Sequence, residues 1–593
     1  MNIDFDTYKK KVYGAYVGKS VGGTLGMPFE GSLDSRTLSY YDPVPDKMLP
    51  NDDLDLQVIN LETLLSTGFP VSRLRIGSIW LNHLEDSAPD EYGVAIANHK
   101  AGLRAPIAGK YRNKFTAGMG SAIRSELWAC IAPANPELAA TLAKEDACTD
   151  HSDDGVYAEA FLAAAESAAF IENDLSKLIE IGLKYVGKES KLHRAFRFTI
   201  EEWQSTKDVM QTREAILRNF PTDNWTDVNV NLSFILLSLL SCEGSFDKAI
   251  CTAASLGYDT DCTAATVGAI FGIMNPDGIT EKWTRPIGNE LVLSACIINS
   301  AEWSTINEFC DAVIFAAGKA QAYYRTNVSL GVPENYGGFS IAEPRFNNFK
   351  PLYERNDNES LAAELPALVS LVYPETVAAI PQKDNAFALK IAPTDDENLK
   401  GTVRIAAPNG FSVFPAEFDF DLNGKEKVFP LTVTAKNPKK RAQRNLFTFF
   451  VTINGVTAEI VAGVPLSRVF DVKDLSTGKT HKEEIPSSFF TVPDGEYEYR
   501  ARFKATAKKQ ARVSCGGTRP FVLKINGKTV FDGDGKFYNP TFHRDDSWTT
   551  AELLKGDNEL TIYFPRHEKG EAFLGFGTTF GCSTWLDSIE FYS

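Results

Sequence analysis

Several features common in proteins are missing from this sequence, and each absence removes a class of protein. The nine cysteines lie far apart without a C-x-x-C pair, so neither a zinc ribbon nor a disulfide scaffold is indicated. No uninterrupted apolar run of about 18 residues occurs, so no transmembrane helix is predicted. A long Lys/Arg run is also missing and the net charge is −16, which argues against nucleic acid or an anionic membrane as the partner.

The amino terminus also lacks a familiar pattern. Met-Asn-Ile-Asp-Phe-Asp is not the basic and then apolar start of a signal peptide. With the dispersed cysteines, this predicts a reducing compartment, the cytoplasm, and a secreted or periplasmic location is the alternative if a signal was removed. The 593 residues suggest about three or four domains, and 44% hydrophobic with 23% charged residues is ordinary for a folded protein.

The first half of the chain has helical periodicity, with apolar and small residues recurring at spacings of three and four. We predict an all-α domain over residues 1–345. Its expected helices lie near 7–24, 52–66, 73–85, 121–130, 136–146, 155–171, 175–186, 190–204, 210–218, 228–241, 246–255, 262–273 and 306–324.

The second half has the alternating pattern of β-strands, separated by turn signals such as Asn526-Gly527. We predict a linker and an immunoglobulin-like β-sandwich over residues 346–468, and a jelly-roll-like β-sandwich over residues 469–593. The last module resembles carbohydrate-binding modules in architecture. Aromatic residues there are either core or sugar platforms: Tyr538, Phe542, Trp548 and Trp585.

The most informative stretch is Gly257-Tyr-Asp259-Thr-Asp261, where a turn enters a helical pattern. Either aspartate could simply cap the helix. The pair also supplies two hard oxygen ligands of the kind that Mg²⁺ prefers. Behind it, small residues recur at a spacing of four, as they also do in the first helix, and such rows imply close packing against another backbone. These rows are Ala264, Gly268 and Gly272, and Gly14, Gly18, Gly22 and Gly26.

Further carboxylates stand at two other turns. Asp52 and Asp53 open a helix, where capping and compensation of the helix dipole are the alternative to ligation. Glu30 follows a Gly/Pro turn and would by itself be an ordinary solvated acid.

Two more stretches open helices. The glycine-rich turn around Gly118, Gly120 and Ser121 could cradle a phosphate with its backbone N–H groups, or be a plain loop. The stretch Thr149-Asp-His151-Ser152 precedes an alanine-rich helix, and a lone histidine such as His151 is more often structural.

In this order, these stretches resemble the ADP-ribosylglycohydrolase family of the dinitrogenase-reductase-activating type, over roughly residues 8–330. The resemblance implies an all-α fold with two Mg²⁺ ions, or Mn²⁺, in a central cleft. It implies metal ligation by Asn51, Asp52, Asp53, Asp259, Asp261 and either Cys262 or Thr263. It implies catalytic roles for Glu30, Asp53 and Asp261. It implies substrate contacts by Gly118, Gly120, Ser121, His151, Ser152 and Tyr157.

The chain departs from the family pattern at several polar positions. Asn51 and Leu54 replace threonines, Gly23 replaces an aspartate, and Met119 replaces an asparagine. Cys262 stands where the family has its last threonine, and a thiol is a soft ligand in a hard site. Because the carboxylates remain, we expect the metal to be retained.

The expected function is metal-dependent hydrolysis of a ribosyl glycosidic bond, in ADP-ribosylated protein or a related ADP-ribose-type metabolite. Carboxylates suit this reaction because its transition state resembles an oxocarbenium ion. One alternative is a glycosidase acting on a carbohydrate, with the β modules targeting a glycan. The other is a non-catalytic relative that binds a ligand. The sequence leaves the acid and base assignment and the oligomeric state open.

Overall fold

A computed structural model describes residues 2–85, 88, 90–222, 224–300, 303–331, 356–394, 398–437, 440–535, 548–577 and 589–592. The chain divides into two compact units. The first comprises Met1–His83 and Thr116–Tyr353, and the second comprises Leu84–Phe115 and Glu354–Ser593.

The first unit is helical, as predicted. Its helices are α1 (Phe5–Gly26), α2 (Asp52–Thr67), α3 (Arg73–His83), α6 (Ser125–Ile131), α7 (Pro136–Ala147), α8 (Asp154–Ala169), α9 (Leu175–Leu183), α10 (Lys191–Thr206), α11 (Val209–Asn219), α12 (Val228–Ser241), α13 (Phe246–Ser255), α14 (Thr260–Met274), α15 (Glu281–Ile287) and α16 (Ile306–Tyr324). A short parallel pair joins β1 (Asn2–Asp4) to β2 (Ser329–Gly331). Each predicted helix is present, and α15, which contains Pro286, was not predicted.

Helices α1 and α14 form the centre of this unit, and they touch along their small residues. A Cβ atom on Gly14, Gly18 or Gly22 would collide with a backbone carbonyl of α14. The expectation of close backbone packing is therefore confirmed. The contact continues to the end of α1, where the Thr260 hydroxyl donates a 2.8 Å hydrogen bond to the carbonyl of Gly26.

The second unit contains strands in two successive β-sandwiches. The first sandwich uses β3 (Glu359–Glu364), β4 (Ala367–Val372), β5 (Asn385–Pro393), β6 (Lys400–Ala406), β7 (Phe411–Phe414), β8 (Glu417–Asp421), β9 (Lys427–Ala435), β11 (Leu446–Ile453) and β12 (Val456–Gly463). One sheet has the order β3-β4-β5-β9-β7 and the other β12-β11-β6-β8. Alternate residues of both sheets, such as Leu389 and Val451, fill one shared core.

The second sandwich follows along the chain. Its strands are β13 (Arg468–Asp474), β14 (Thr480–Ile485), β15 (Phe489–Val492), β16 (Gly495–Ala505), β17 (Lys509–Gly517), β18 (Phe521–Ile525), β19 (Lys528–Gly533), β20 (Trp548–Leu553), β21 (Gly556–His567), β22 (Gly570–Gly577) and β23 (Ile589–Tyr592), and β10 (Lys440–Arg441) pairs with β23. Buried residues from both sheets, such as Tyr499 and Leu574, share a core. The predicted succession of a helical region and two β-sandwiches is confirmed.

Residues 84–115 differ from the expectation, because they belong to the second unit and not to the helical unit. They contain α4 (Asp90–Lys100) and α5 (Ile107–Lys110), which were not predicted. The physical reason is burial of apolar side chains, since Leu103, Ile107 and Tyr111 are part of the core of the first sandwich.

Two sequence expectations concern membranes and sugar platforms. In the described ranges, no helix has the length and apolarity needed to cross a bilayer.

Of the four aromatic candidates in the last module, only Trp548 lies among the described residues, and the Arg512 guanidinium lies 3.8 Å from its ring centroid. Tyr538, Phe542 and Trp585 lie outside the described residues.

Candidate metal-binding active site

Carboxylates from three distant parts of the first unit come together in two groups. Asp52, Asp53, Asp261 and the Cys262 thiol form one group, and Glu30, Asp259 and Asp261 form the other. Within each group the ligand atoms lie within 4.8 Å of one another. Because Asp261 belongs to both groups, the two positions are adjacent and share one carboxylate.

The turn before α14 holds Asp259 and Asp261 against the loop that carries Glu30. The Tyr258 N–H donates to the carbonyl of Ser32 at 2.7 Å, and the Gly31 N–H donates to the carbonyl of Tyr258 at 3.0 Å. Gly257 has φ of +80°, and a Cβ there would meet the Ser32 carbonyl at 2.8 Å. This position therefore requires glycine, for both backbone conformation and space.

Asp259 precedes α14 but does not cap it with its side chain. Its backbone N–H donates instead to the Asn231 Oδ1 of α12 at 3.2 Å, and Asn231 also binds the carbonyl of Trp225 through its Nδ2 at 2.8 Å. The simple capping interpretation of this aspartate is therefore wrong, and its carboxylate is turned into the cluster.

At the start of α2, capping is the role of Asn51. The Asn51 Oδ1 accepts a 2.8 Å hydrogen bond from the Asp53 N–H, so this oxygen is already engaged. The Asn51 Nδ2 fills the space beside Gly23, where a Cβ would collide with it. Asn51 and Gly23, which both depart from the family pattern, therefore pack against each other. This arrangement leaves Asp52 and Asp53 to face the cluster.

Lys19 of α1 is the unexpected member of the site. Its side chain is fully buried, and its ammonium group lies 2.9 Å from the Asp53 Oδ1 and 2.9 Å from the Glu126 Oε1. Burial lowers the pKa of Lys19, but Asp53 and Glu126 attract the charged form and hold the pKa above its usual value. Lys19 is therefore a fixed positive charge beside the acidic cluster.

The carboxylates raise one another's pKa values. Burial, followed by repulsion from Glu30, raises the pKa of Asp259 to about 7. The pKa of Asp261 rises well above its usual range for the same two reasons, with further repulsion from Asp259. Desolvation and the charge of Asp53 also raise the pKa of Asp52. Buried carboxylates whose pKa values are raised by mutual repulsion are typical of functional sites.

Cys262 and Thr263, the alternative ligands after Asp261, are oriented differently. The Cys262 thiol lies within the first carboxylate group, and burial together with Asp259 and Asp261 raises its pKa well above the usual value. The Thr263 hydroxyl donates to the carbonyl of Thr260 at 3.2 Å, on its own helix.

The residues expected to contact substrate are brought together in part. Ser121 donates through its hydroxyl to the carbonyl of Gly155 at 2.9 Å, and the Ser152 N–H donates to the carbonyl of Thr116 at 3.2 Å. The glycine-rich turn, with Gly118 and Gly120 buried, thus packs on the His151 segment.

The two remaining side chains of that segment have local partners. The Ser152 hydroxyl bonds to the Asp153 carboxylate at 2.9 Å. Tyr157, in the first turn of α8, is half-buried, and its ring packs beside Gly187, where a Cβ would lie 3.0 Å from the ring.

A buried network of charged residues lies next to the glycine-rich turn and the His151 segment. Arg124 donates two 2.9 Å hydrogen bonds to the carboxylate of Asp150, and it also contacts Asp146 at 3.1 Å. The Asp150 Oδ1 lies 2.8 Å from the His151 Nδ1. Burial would raise the pKa of Asp150, but the Arg124 guanidinium and then the neighbouring His151 lower it to about 2.

Sequence reasoning missed three polar residues that shape the site: Lys19, Glu126 and Asn231. The signal that could have identified Lys19 is its position directly after Gly18 on a glycine-rich helix. A side chain beside such a close contact between two helix backbones is expected to be buried. Glu126 and Asn231 lie on largely apolar helices that are almost entirely buried, where a polar residue needs a partner.

The residues present fit a divalent cation. Among the described residues, the Asp53 Oδ2, Asp259 Oδ1 and Asp261 Oδ1 atoms are buried without a hydrogen-bond partner. Buried carboxylate oxygens without a partner are costly, and a cation satisfies them. Oxygen-rich ligand sets are those that Mg²⁺ and Mn²⁺ prefer.

Three solved structures are among those to which the chain has a weak similarity. A solved structure, "ADP-ribosylglycohydrolase-related protein complex", shares 19% identity over 53% of this chain and 98% of that chain, with a TM-score of 0.37. An α-L-rhamnosidase from Dictyoglumus thermophilum shares 11% identity over 36% of this chain and 27% of that chain, with a TM-score of 0.16. An anti-sigma factor domain-containing protein from Clostridium clariflavum shares 10% identity over 32% of this chain and 79% of that chain, with a TM-score of 0.16.

These three likenesses are too weak to carry a functional argument, and no curated protein matches the chain. The family comparison is decisive, because the model of the ADP-ribosylglycohydrolase family matches residues 4–321, more than half of the 593 residues. The resemblance seen in the sequence motifs is thereby confirmed, and it supports a hydrolase acting on glycosidic bonds. The chain belongs to the ADP-ribosylglycohydrolase family.

Proposed function

We propose that this chain hydrolyses a ribosyl glycosidic bond of ADP-ribosylated protein, or of a related ADP-ribose-type metabolite, with two divalent cations. The observation that carries the proposal is the pair of adjacent carboxylate groups joined by Asp261. Family membership supports the glycosidic bond as the target. The choice of ribosyl substrate, and of Mg²⁺ or Mn²⁺ as the cation, is part of the proposal.

The proposed ligands are Asp52, Asp53 and Asp261 at one position, and Glu30, Asp259 and Asp261 at the other. When bound, divalent cations at these oxygens would orient ribose hydroxyls and lower the pKa of a nucleophilic water. Cys262 is the additional ligand of the first position, because its thiol lies within that group while the Thr263 hydroxyl is turned to its own helix. Asn51 acts indirectly, by capping the helix that presents Asp52 and Asp53.

Glu30 is the best-placed residue for proton transfer. It is exposed, whereas Asp53, Asp259 and Asp261 are buried. An exposed carboxylate beside the buried ones can reach a substrate and take a proton from water or give one to the leaving group. The buried Asp53 and Asp261 would instead stabilise positive charge as the ribosyl C1 bond breaks.

We further propose that the turn of Gly118, Gly120 and Ser121 and the segment of His151, Ser152 and Tyr157 contact the diphosphate and ribose side of the substrate. The hydrogen bonds between these two stretches hold them side by side, with Tyr157 half-buried and the other members buried. Because the Ser121 hydroxyl already donates to Gly155, its contribution to phosphate binding would come from the backbone N–H.

The test is an assay of the full chain with ADP-ribosyl-arginine, ADP-ribosyl-serine, ADP-ribose and a panel of furanosides, after EDTA treatment and with Mg²⁺ restored. Released ADP-ribose or ribose only when Mg²⁺ is present is the expected result. Full activity in EDTA-treated protein would contradict the role of the cation. Product only from glycans would favour the carbohydrate glycosidase, and no product from any substrate would favour a binding protein.

A further inference from the structure

We propose that Lys19 is a positioning residue that makes the two cation positions unequal, by engaging one oxygen of Asp53 and placing a fixed positive charge beside the first position. This inference rests on the cation site of the proposed function. It goes beyond that function because it concerns the affinity of each position, and because it depends on Lys19, which lies outside the stretches that carry the family resemblance.

The first step is the geometry of the ion pair. The Lys19 ammonium group lies 2.9 Å from the Asp53 Oδ1, and both side chains are buried. The other oxygen, Asp53 Oδ2, is buried without a hydrogen-bond partner among the described residues. Asp53 therefore has one oxygen committed to Lys19 and one available to a cation.

The second step is that Lys19 is held firmly in this place. Its ammonium group also bonds to the Glu126 Oε1 at 2.9 Å, and the Gln57 Nε2 bonds to the Glu126 Oε2 at 2.8 Å. Gln57 itself donates to the backbone carbonyl of Asp53 at 2.9 Å and accepts a hydrogen bond from the Tyr16 hydroxyl at 3.1 Å. This closed set of hydrogen bonds leaves the ammonium group little freedom to move away from Asp53.

The third step compares the two positions. Among the described residues, the hydrogen bonds of Lys19 go to Asp53, a ligand of the first position, and to Glu126, and none goes to a ligand of the second position. A unit positive charge a few ångströms from a divalent cation opposes its binding, and burial reduces the screening of that repulsion. We therefore expect the position at Asp52, Asp53 and Asp261 to bind its cation more weakly than the position at Glu30, Asp259 and Asp261.

The experiment measures Mn²⁺ binding to the full chain at fixed pH, by electron paramagnetic resonance of free Mn²⁺ and by calorimetry. The wild-type chain is expected to bind two Mn²⁺ with dissociation constants that differ by at least about tenfold. The double variant Lys19→Met with Glu126→Gln removes the ammonium group without leaving its second partner charged. Glu126→Gln alone is the matched control, because it keeps the lysine.

Relative to that control, the double variant should bind the weaker Mn²⁺ at least about tenfold more tightly, so that the two affinities approach each other. Lys19→Gln provides a second test, because its amide can still donate to Asp53 but carries no charge, and it should show the same tightening. Circular dichroism of each variant verifies that the fold is intact.

Three results would overturn the inference. Two equal Mn²⁺ affinities in the wild-type chain would do so without any variant. The same is true if the affinity of the weaker Mn²⁺ position is unchanged in both Lys19→Gln and the double variant. It is also true if these variants fold but no longer bind the weaker Mn²⁺. If the wild-type chain binds no Mn²⁺ at all, the proposed function itself fails, so the two failures are distinguishable.

Discussion

Gly18 of α1 and Gly268 of α14 meet backbone to backbone, and neither has space for a side chain. A Cβ on either residue would collide with the carbonyl group of the other. The same contact continues to the carboxyl end of α1. The loop with Glu30, which follows α1, therefore lies beside the amino end of α14, where Asp259 and Asp261 are located. The helix contact thus determines where the acidic cluster forms.

Gly18→Ala should destabilise the first unit by about 1–3 kcal/mol, because the added methyl group forces two closely packed backbones apart. Gly318→Ala is the matched control. Gly318 lies on α16 with open space around it, so alanine there should stabilise the chain by about 0.5–1 kcal/mol through its better helix propensity. Urea unfolding followed by circular dichroism measures both changes, and an equal effect of the two variants would contradict the close packing.

Asp261→Asn should weaken cation binding at both positions, because this carboxylate is the member common to the two groups. Calorimetric titration with Mg²⁺ should therefore show the loss of both binding events, together with the loss of turnover. Asp277→Asn, which changes an acid that is 77% exposed on its side chain, should bind Mg²⁺ as the wild type does. Retention of one full-affinity position in Asp261→Asn would argue against a shared ligand.

The metal-free protein should lose stability as the pH rises from about 4 to about 7. Burial and then Glu30 raise the pKa of Asp259 to about 7, whereas an unfolded aspartate has a pKa of about 3.9. Between these values the folded chain binds a proton that the unfolded chain does not, so raising the pH favours unfolding.

A cation must displace that proton, so Mg²⁺ affinity should rise over the same interval. Thermal unfolding with EDTA and with Mg²⁺ measures both effects. The increase in Tm caused by Mg²⁺ should be larger at about pH 8 than at about pH 5. An increase that does not depend on pH would show that Asp259 is not protonated in the metal-free protein.

Arg124→Met should destabilise the chain by about 3–5 kcal/mol, because it leaves the buried carboxylates of Asp146 and Asp150 without their cation. Arg197→Met breaks an exposed ion pair with Glu180 and should cost less than about 1 kcal/mol. Denaturant unfolding compares the two variants. An effect of Arg124→Met as small as that of Arg197→Met would contradict a stabilising role of this buried ion-pair network.

The sequence predicted the helices well because their apolar periodicity and their caps are local signals. Thr305 and Glu308, for example, form a capping box at the start of α16, where the helix was expected. Asp52 and Asp53 were recognised as site candidates because a pair of acids at the start of a helix is also a local signal, and its place in the order of the motifs can be read from the sequence. The role of residues 84–115 was not predictable in this way, since their apolar side chains are buried against strands more than 250 residues later in the chain.

The sequence by itself determined the family, the helical and β-sandwich halves, and the identity of the acidic residues, because each depends on motif spacing and periodicity. Only the tertiary structure decided which oxygens are available. In this structure the side-chain oxygen of Asn51 caps a helix, the side chain of Asn231 accepts a hydrogen bond from the backbone of Asp259, and Lys19 binds one oxygen of Asp53. The physical reason is that hydrogen bonds and burial arise between residues far apart in the chain, and spacing along the sequence does not record them.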